Sequence, residues 1–134
     1  MAYETVTKDN LEALIADSKM LVIDFWASWC GPCKAFGPIF EKVSEKHPDI
    51  TFAKCDTEEE REVAGAFDVR SIPTLAIFRE QVLLFKEAGA FPEHMLEEVL
   101  TKVQALDMKE VLETLNAEEK STEDAPAPEG KDGE

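Results

Sequence analysis

The segment Trp29-Cys30-Gly31-Pro32-Cys33-Lys34 places two thiols three positions apart, where an apolar run from Leu21 to Trp26 gives way to a helical pattern. Thiols at this spacing can face each other across one helical turn, so they can close into a disulfide and reopen without moving the rest of the chain. If Cys30 begins a helix, its sulfur sits among unpaired backbone N–H groups at the positive end of the helix dipole. That environment favours the thiolate, the form that attacks disulfides. The competing use of such a pair is zinc, which usually takes four ligands. This chain offers one Cys-x-x-Cys, a distant Cys55, and His47 and His94 in unrelated segments, so no metal is expected. A structural disulfide is a weak reading too, because so short a loop restricts the unfolded chain very little. Redox exchange is the use that needs this spacing.

Asp24 is the second unusual residue. It interrupts Leu21-Val22-Ile23-Asp24-Phe25-Trp26, and a carboxylate in such surroundings is costly unless paired or neutral. On its own it has two readings: an Asp at a strand end reaching solvent or a backbone donor, or a functional acid with a perturbed pKa.

The elements that must hold these groups follow from hydrophobic spacing. A short strand near Glu4–Thr7 precedes a helix marked by Leu11, Leu14 and Ile15. Leu21–Trp26 has the near-continuous apolar character of a central strand buried on both faces. Phe36, Ile39, Phe40 and Val43 then form the apolar stripe of a helix that Pro38 should kink. Ile50–Lys54 is a further strand. Thr57 and Glu60 have capping-box spacing ahead of a short helix carrying Val63 and Phe67. Leu75–Phe78 and Val82–Lys86 form a hairpin, and Pro92 opens a helix with Leu96, Val99, Leu100 and Val103 on its buried side. A helix between consecutive strands implies parallel pairing, whereas the hairpin is antiparallel, so the sheet is mixed with helices on both faces. Asp107 and Glu110 suggest one more helix start, with Val111, Leu112 and Leu115 on one side. The acidic stretch Ala117–Glu134, with Pro126, Pro128, Gly130 and Gly133, is expected to be disordered. The expected division is therefore a domain over 1–106, an extra helix over 107–116 and a tail over 117–134.

At 134 residues the chain is long enough for one domain with a sizeable core. Three cysteines do not suit a disulfide-stapled secreted scaffold, and Met1–Asn10 lacks the basic and apolar regions of a signal peptide. No apolar stretch approaches the length of a membrane span. These features point to a cytoplasmic, reducing setting. The net charge of −15 argues against nucleic acid and anionic membrane as partners. Residues 105–134 hold 3 basic and 10 acidic groups, net −7, so nearly half the excess lies in the last quarter of the chain, where its simplest role is solubility.

Together these residues resemble the thioredoxin family. Asp24-Phe25-Trp26-Ala27-Ser28-Trp29-Cys30-Gly31-Pro32-Cys33-Lys34 matches its active-site stretch almost throughout, and Ser71-Ile72-Pro73-Thr74 matches its second signature. Pro38 matches the family's kinking proline and Gly89 a glycine near the substrate groove. The resemblance spans roughly residues 3–106, and the element order agrees with the thioredoxin fold. It implies that Cys30, the more exposed thiol, attacks a substrate disulfide and that Cys33 resolves the mixed disulfide. Asp24 would take the Cys33 proton, with Lys54 near it. Ile72 and a cis Pro73 would present backbone to an extended substrate segment, beside Trp29, Gly31, Pro32 and Gly89. The Gly31-Pro32 pair goes with the family's reductants. The implied activity is reduction of protein disulfides by a monomer that needs no bound cofactor, its dithiol recharged by a thioredoxin reductase using NADPH. A different class of role stays open, a binding or scaffold module acting through the C-terminal extension.

Cys55 reads as a small buried hydrophobe, Trp26 as core, and His47 and His94 as surface residues. The hairpin turn Glu80-Gln81 departs from the family pattern by lacking a glycine, Asp68 stands where a glycine is common, and Gly37-Pro38 weakens the second helix.

Overall fold

The computed structural model describes residues 3–124. The element order is β1 (Glu4–Thr5), α1 (Leu11–Asp17), β2 (Met20–Trp26), α2 (Gly31–Lys46), β3 (Thr51–Asp56), α3 (Arg61–Ala66), β4 (Thr74–Arg79), β5 (Val82–Ala88), α4 (Glu93–Ala105) and α5 (Met108–Asp124). The five strands form one sheet in the order β1-β3-β2-β4-β5. β1 and β2 both run parallel to β3, and β4 is antiparallel to β2 and β5. This is the mixed sheet that the alternation of strands and helices requires.

Strand periodicity sorts the core into two layers. Met20 and Val22 of β2, with Phe52, Leu75 and Ile77, pack against Phe36, Phe40 and Val43 of α2 and Leu96, Leu100 and Val103 of α4. Leu21, Ile23 and Phe25 face the other way, with Ala53, Cys55, Ala76 and Phe78, against Val63 of α3 and Leu11, Leu14 and Ile15 of α1. Asp24 continues the Met20–Val22 row and Lys54 continues from Phe52, so both lie on the α2 side of the sheet. Beyond the tip of α2, His47 Nε2 meets Glu97 Oε1 of α4 at 2.7 Å and is half-buried, so it is an interhelical contact rather than a plain surface residue.

Some local expectations need correction. Thr57 does not cap α3; its hydroxyl donates to the Trp26 carbonyl, and the α3 N-cap, Glu60, makes no side-chain capping bond. Asp56 does the local work instead, its Oδ1 accepting from the Glu58 and Glu59 amides. The hairpin turn keeps its two-residue form without a glycine: Glu80 and Gln81 take φ of 52° and 71°. Asp68 likewise takes φ of 54°. α2 continues through Pro38 as one helix.

The chain divides into two compact units between Gln104 and Ala105. In the second, α5 runs to Asp124 rather than ending at Asn116. Ala117, Glu118, Glu119 and Lys120 are good helix formers, and the first residue that stops a helix is Pro126. The rest of the expected tail, 125–134, lies outside the described residues. Among the described residues, no helix is long and apolar enough to cross a membrane.

Candidate active site

The site starts where β2 ends and α2 begins. Cys30 is the N-cap of α2, in extended backbone (φ −90°, ψ 113°), and Pro32 in the first turn has no amide to leave unpaired. The Cys33 N–H donates to Cys30 Sγ at 3.2 Å, so the sulfur takes the place that a Ser or Asp oxygen fills in an ordinary cap. Cys30 and Cys33 are closed as a disulfide with their Cα atoms 5.2 Å apart. Their exposures are nearly equal, 4% and 5%, so in this closed state exposure does not mark Cys30 out. Its place at the cap does. A Cβ at Gly31 would meet nothing within 4 Å, so no close contact there demands glycine.

Three further segments meet the pair. The Ile72–Pro73 peptide is cis, and the Ile72 carbonyl lies 3.7 Å from Cys30 Sγ. Gly89, at φ +140°, donates its N–H to the Pro73 carbonyl at 2.8 Å. This is a backbone conformation that a side chain would strain, so here the glycine is required. Trp29 is 66% exposed, with its indole Nε1 3.4 Å from Glu58 Oε2. Trp26 is half-buried and packs on the Ala27–Cys30–Cys33 cluster rather than lying in either main layer.

Beneath Cys33 opens a cavity of about 490 Å³ whose lining includes Asp24, Cys33, Gly37, Glu41, Lys54 and Tyr3. Asp24 is 1% exposed, and its Oδ1 has no hydrogen-bond partner. Burial pushes its carboxyl from the ordinary 3.8 up to about 7, partly opposed by the charge of Lys54 and assisted by that of Glu41. At 1% exposure Asp24 does not reach solvent, which removes that half of the strand-end reading. Lys54 pairs in register with Asp24 across β2 and β3, but its ammonium donates to Glu41 Oε2 at 2.6 Å and lies 4.6 Å from the Tyr3 ring centre. Glu41 and Tyr3 escape the sequence reasoning. The available signal is spacing: Cys33, Gly37 and Glu41 recur every four residues and so share one stripe of α2. Cys55 lies on the opposite face of the sheet, fully buried, and burial with nearby acidic groups pushes its thiol up to about 12. Buried there with its thiol held protonated, it stands apart from the redox pair. Among the described residues, no group of three or more His, Cys, Asp or Glu is placed to hold a metal ion.

A sulfur pair that opens and closes on one helical turn, beside a carboxyl able to gain or lose a proton near neutrality, belongs to a thiol–disulfide exchange protein. Comparison with known proteins names the family. The Thioredoxin family model matches residues 2–102. "Putative thioredoxin 2" of Streptomyces coelicolor is 51% identical over 106 residues, covering 79% of each chain. Thioredoxin of Mycoplasmoides gallisepticum is 41% identical over 93 residues, 69% of this chain and 93% of that one. A mutant thioredoxin from Halobacterium salinarum superposes with a TM-score of 0.72 at 30% identity, covering 78% of this chain and 92% of that chain. The chain belongs to the thioredoxin family. It is a protein thiol–disulfide oxidoreductase, and its redox group is the Cys30–Cys33 pair itself.

Proposed function

We propose that the protein works as a reductant of protein disulfides, with Cys30 as nucleophile and Cys33 as resolving thiol. The observation that carries this assignment is the N-cap geometry: only Cys30 Sγ receives the Cys33 amide and faces the first turn of α2. The Cys30 thiolate attacks one sulfur of a client disulfide. A Cys30–client S–S bond forms, and the client's other sulfur leaves as a thiolate that is then protonated. Cys33 gives its proton to the Asp24 carboxylate, directly or through water in the cavity, and attacks Cys30 Sγ. The second client thiolate leaves, two electrons have passed to the client, and the Cys30–Cys33 disulfide has formed. A reductase partner returns the electrons.

Lys54 tunes the Asp24 charge. Trp29 supplies an exposed apolar platform, while Ile72, Pro73 and Gly89 hold an extended client segment by its backbone, with Gly31 and Pro32 beneath it. The working form is a monomer in the cytoplasm, where a reductase keeps the pair reduced. The domain that does this spans 1–106, and the segment after it selects clients rather than carrying the reaction.

The test is capture. A Cys33→Ser variant of the full chain, incubated with cell extract, should accumulate mixed disulfides through Cys30 that a reducing agent releases. Cys30→Ser with Cys33 intact should trap nothing comparable. Equal trapping by both variants would overturn the division of labour between the two thiols, and trapping by Cys30→Ser alone would reverse it. No trapping, with partners still bound through residues 107–116, would favour the binding-module reading instead.

A further inference from the structure

The cavity under Cys33 holds an ion pair, Lys54 with Glu41, of which the exchange mechanism above uses only the lysine. Lys54 is the cross-strand neighbour of Asp24 in the β2–β3 register, so it is well placed to neutralise that carboxylate. It does not bond to Asp24 Oδ1, which has no hydrogen-bond partner. Its ammonium is 2.6 Å from Glu41 Oε2, on the third turn of α2. A Cβ built at Gly37 would lie 3.6 Å from Lys54 Nζ, an ordinary contact, so the lysine passes directly over this small residue on its way to Glu41. The Lys54 side chain is 15% exposed and that of Glu41 42%, and both line the cavity that Asp24 lines.

We propose that Glu41 is a positioning residue for the exchange reaction: by taking the Lys54 ammonium it keeps that cation off Asp24 and leaves the carboxyl free to accept and return the Cys33 proton. The physical reason is electrostatic. A carboxylate bonded directly to an ammonium in a site shielded from water is held in its charged form and becomes a poor base. With the ammonium shared out to Glu41, the net charge of the Lys54–Glu41 pair is near zero. Burial then governs the Asp24 equilibrium, and both protonation states stay accessible near neutrality. Glu41 never touches the reacting sulfurs and acts through Lys54. The other titratable groups around Asp24 are Asp56 and Cys55 on β3, Cys33 and Lys34 on α2, and Tyr3 near the N-terminus. None of these is changed in the variants below, so they form a constant background.

The inference rests on the proton role given to Asp24 above, and its test is independent of turnover. The Asp24 carboxyl is titrated by carbon-13 NMR in the oxidised full chain, in which neither Cys30 nor Cys33 ionises. Glu41→Gln is expected to lower the titration midpoint by about one pH unit, because Lys54 is released toward Asp24 and a negative charge is lost. Glu41→Asp, which keeps the carboxylate, should recover most of that shift. In a Lys54→Met background the same Glu41→Gln change should move the midpoint less than half as far. An unmoved or raised midpoint in Glu41→Gln overturns the proposal. An equal shift in both backgrounds overturns it as well, since Glu41 would then act by its own charge alone. If Asp24 proves dispensable for turnover while these shifts hold, it is the proton role that fails and not the function of Glu41 at Asp24.

Discussion

Replacing Asp24 by Asn should stabilise the oxidised protein, by an amount that depends on pH in a way the structure dictates. The folded carboxyl ionises near 7, against an ordinary 3.8, because it is buried with an unpartnered oxygen. Below about pH 4 the group is protonated in both the folded and the unfolded chain, so the wild type and the Asp24→Asn variant differ little. Between 3.8 and about 7 the unfolded chain ionises while the folded one keeps its proton. Each pH unit in that window therefore costs the wild type about 1.4 kcal/mol relative to the variant. The window is about three units wide, so the difference reaches about 4 kcal/mol and levels off above about pH 7. For a chain of this size, that is a rise in Tm on the order of 10 °C. The assay is urea unfolding of both oxidised proteins at about pH 4, 6 and 8, with stabilities compared at equal slope. The gap should be close to zero at the lowest pH, intermediate at the middle one and largest at the highest. A constant gap would mean that Asn repacks the site better for reasons unconnected with charge. A gap that shrinks as pH rises would mean the carboxylate is stabilised in the fold, contrary to the burial argument.

Other consequences are simpler to check. Trp29→Ala removes an exposed ring, so stability should change by no more than about 0.5 kcal/mol, while KM for a protein disulfide rises with little change in kcat; an unchanged KM refutes the platform role. Gln81→Gly relieves a positive φ of 71° in the β4–β5 turn and should raise stability by about 1 kcal/mol in urea unfolding without altering turnover. A loss of stability there would mean the Gln81 side-chain bond to the Ala16 carbonyl outweighs the backbone relief.

The parts of the fold legible in the sequence are those whose residues announce their own environment. The run Leu21–Trp26 is apolar on both faces because β2 is central, between β3 and β4. The α2 stripe of Phe36, Phe40 and Val43 is regular because one face of that helix packs on the sheet. Capping is less legible. Thr57 and Glu60 have the right spacing, yet the Thr57 hydroxyl is taken by the Trp26 carbonyl, a contact between segments far apart in sequence. Glu80-Gln81 is unsuited by type to a tight turn, but the pairing of Arg79 with Val82 leaves room for only two residues and imposes positive φ on both. In the site, the cysteines and Asp24 can be read because each is out of place by type. Glu41 cannot, since a Glu on an amphipathic helix is ordinary, and its significance comes only from which lysine it meets across the cavity.

The two sulfurs ask opposite things of their surroundings, and the fold satisfies both within one helical turn. Cys30 needs a polar setting that favours a thiolate, and the start of α2 supplies it with backbone amides at the positive end of the helix. Cys33 needs a base that is not permanently charged, since a carboxylate fixed in its ionised form would gain nothing by accepting a proton. In the proposed mechanism burial supplies this at Asp24, and the same burial destabilises the fold at neutral pH. The cost falls on a strand whose other side chains, Met20 to Phe25, are buried in the two core layers. A surface Asp would spare the stability and lose the proton transfer. The position of Asp24 in a strand buried along almost its whole length, lining one cavity with the second thiol, is therefore where burial can hold a carboxyl's pKa near neutrality.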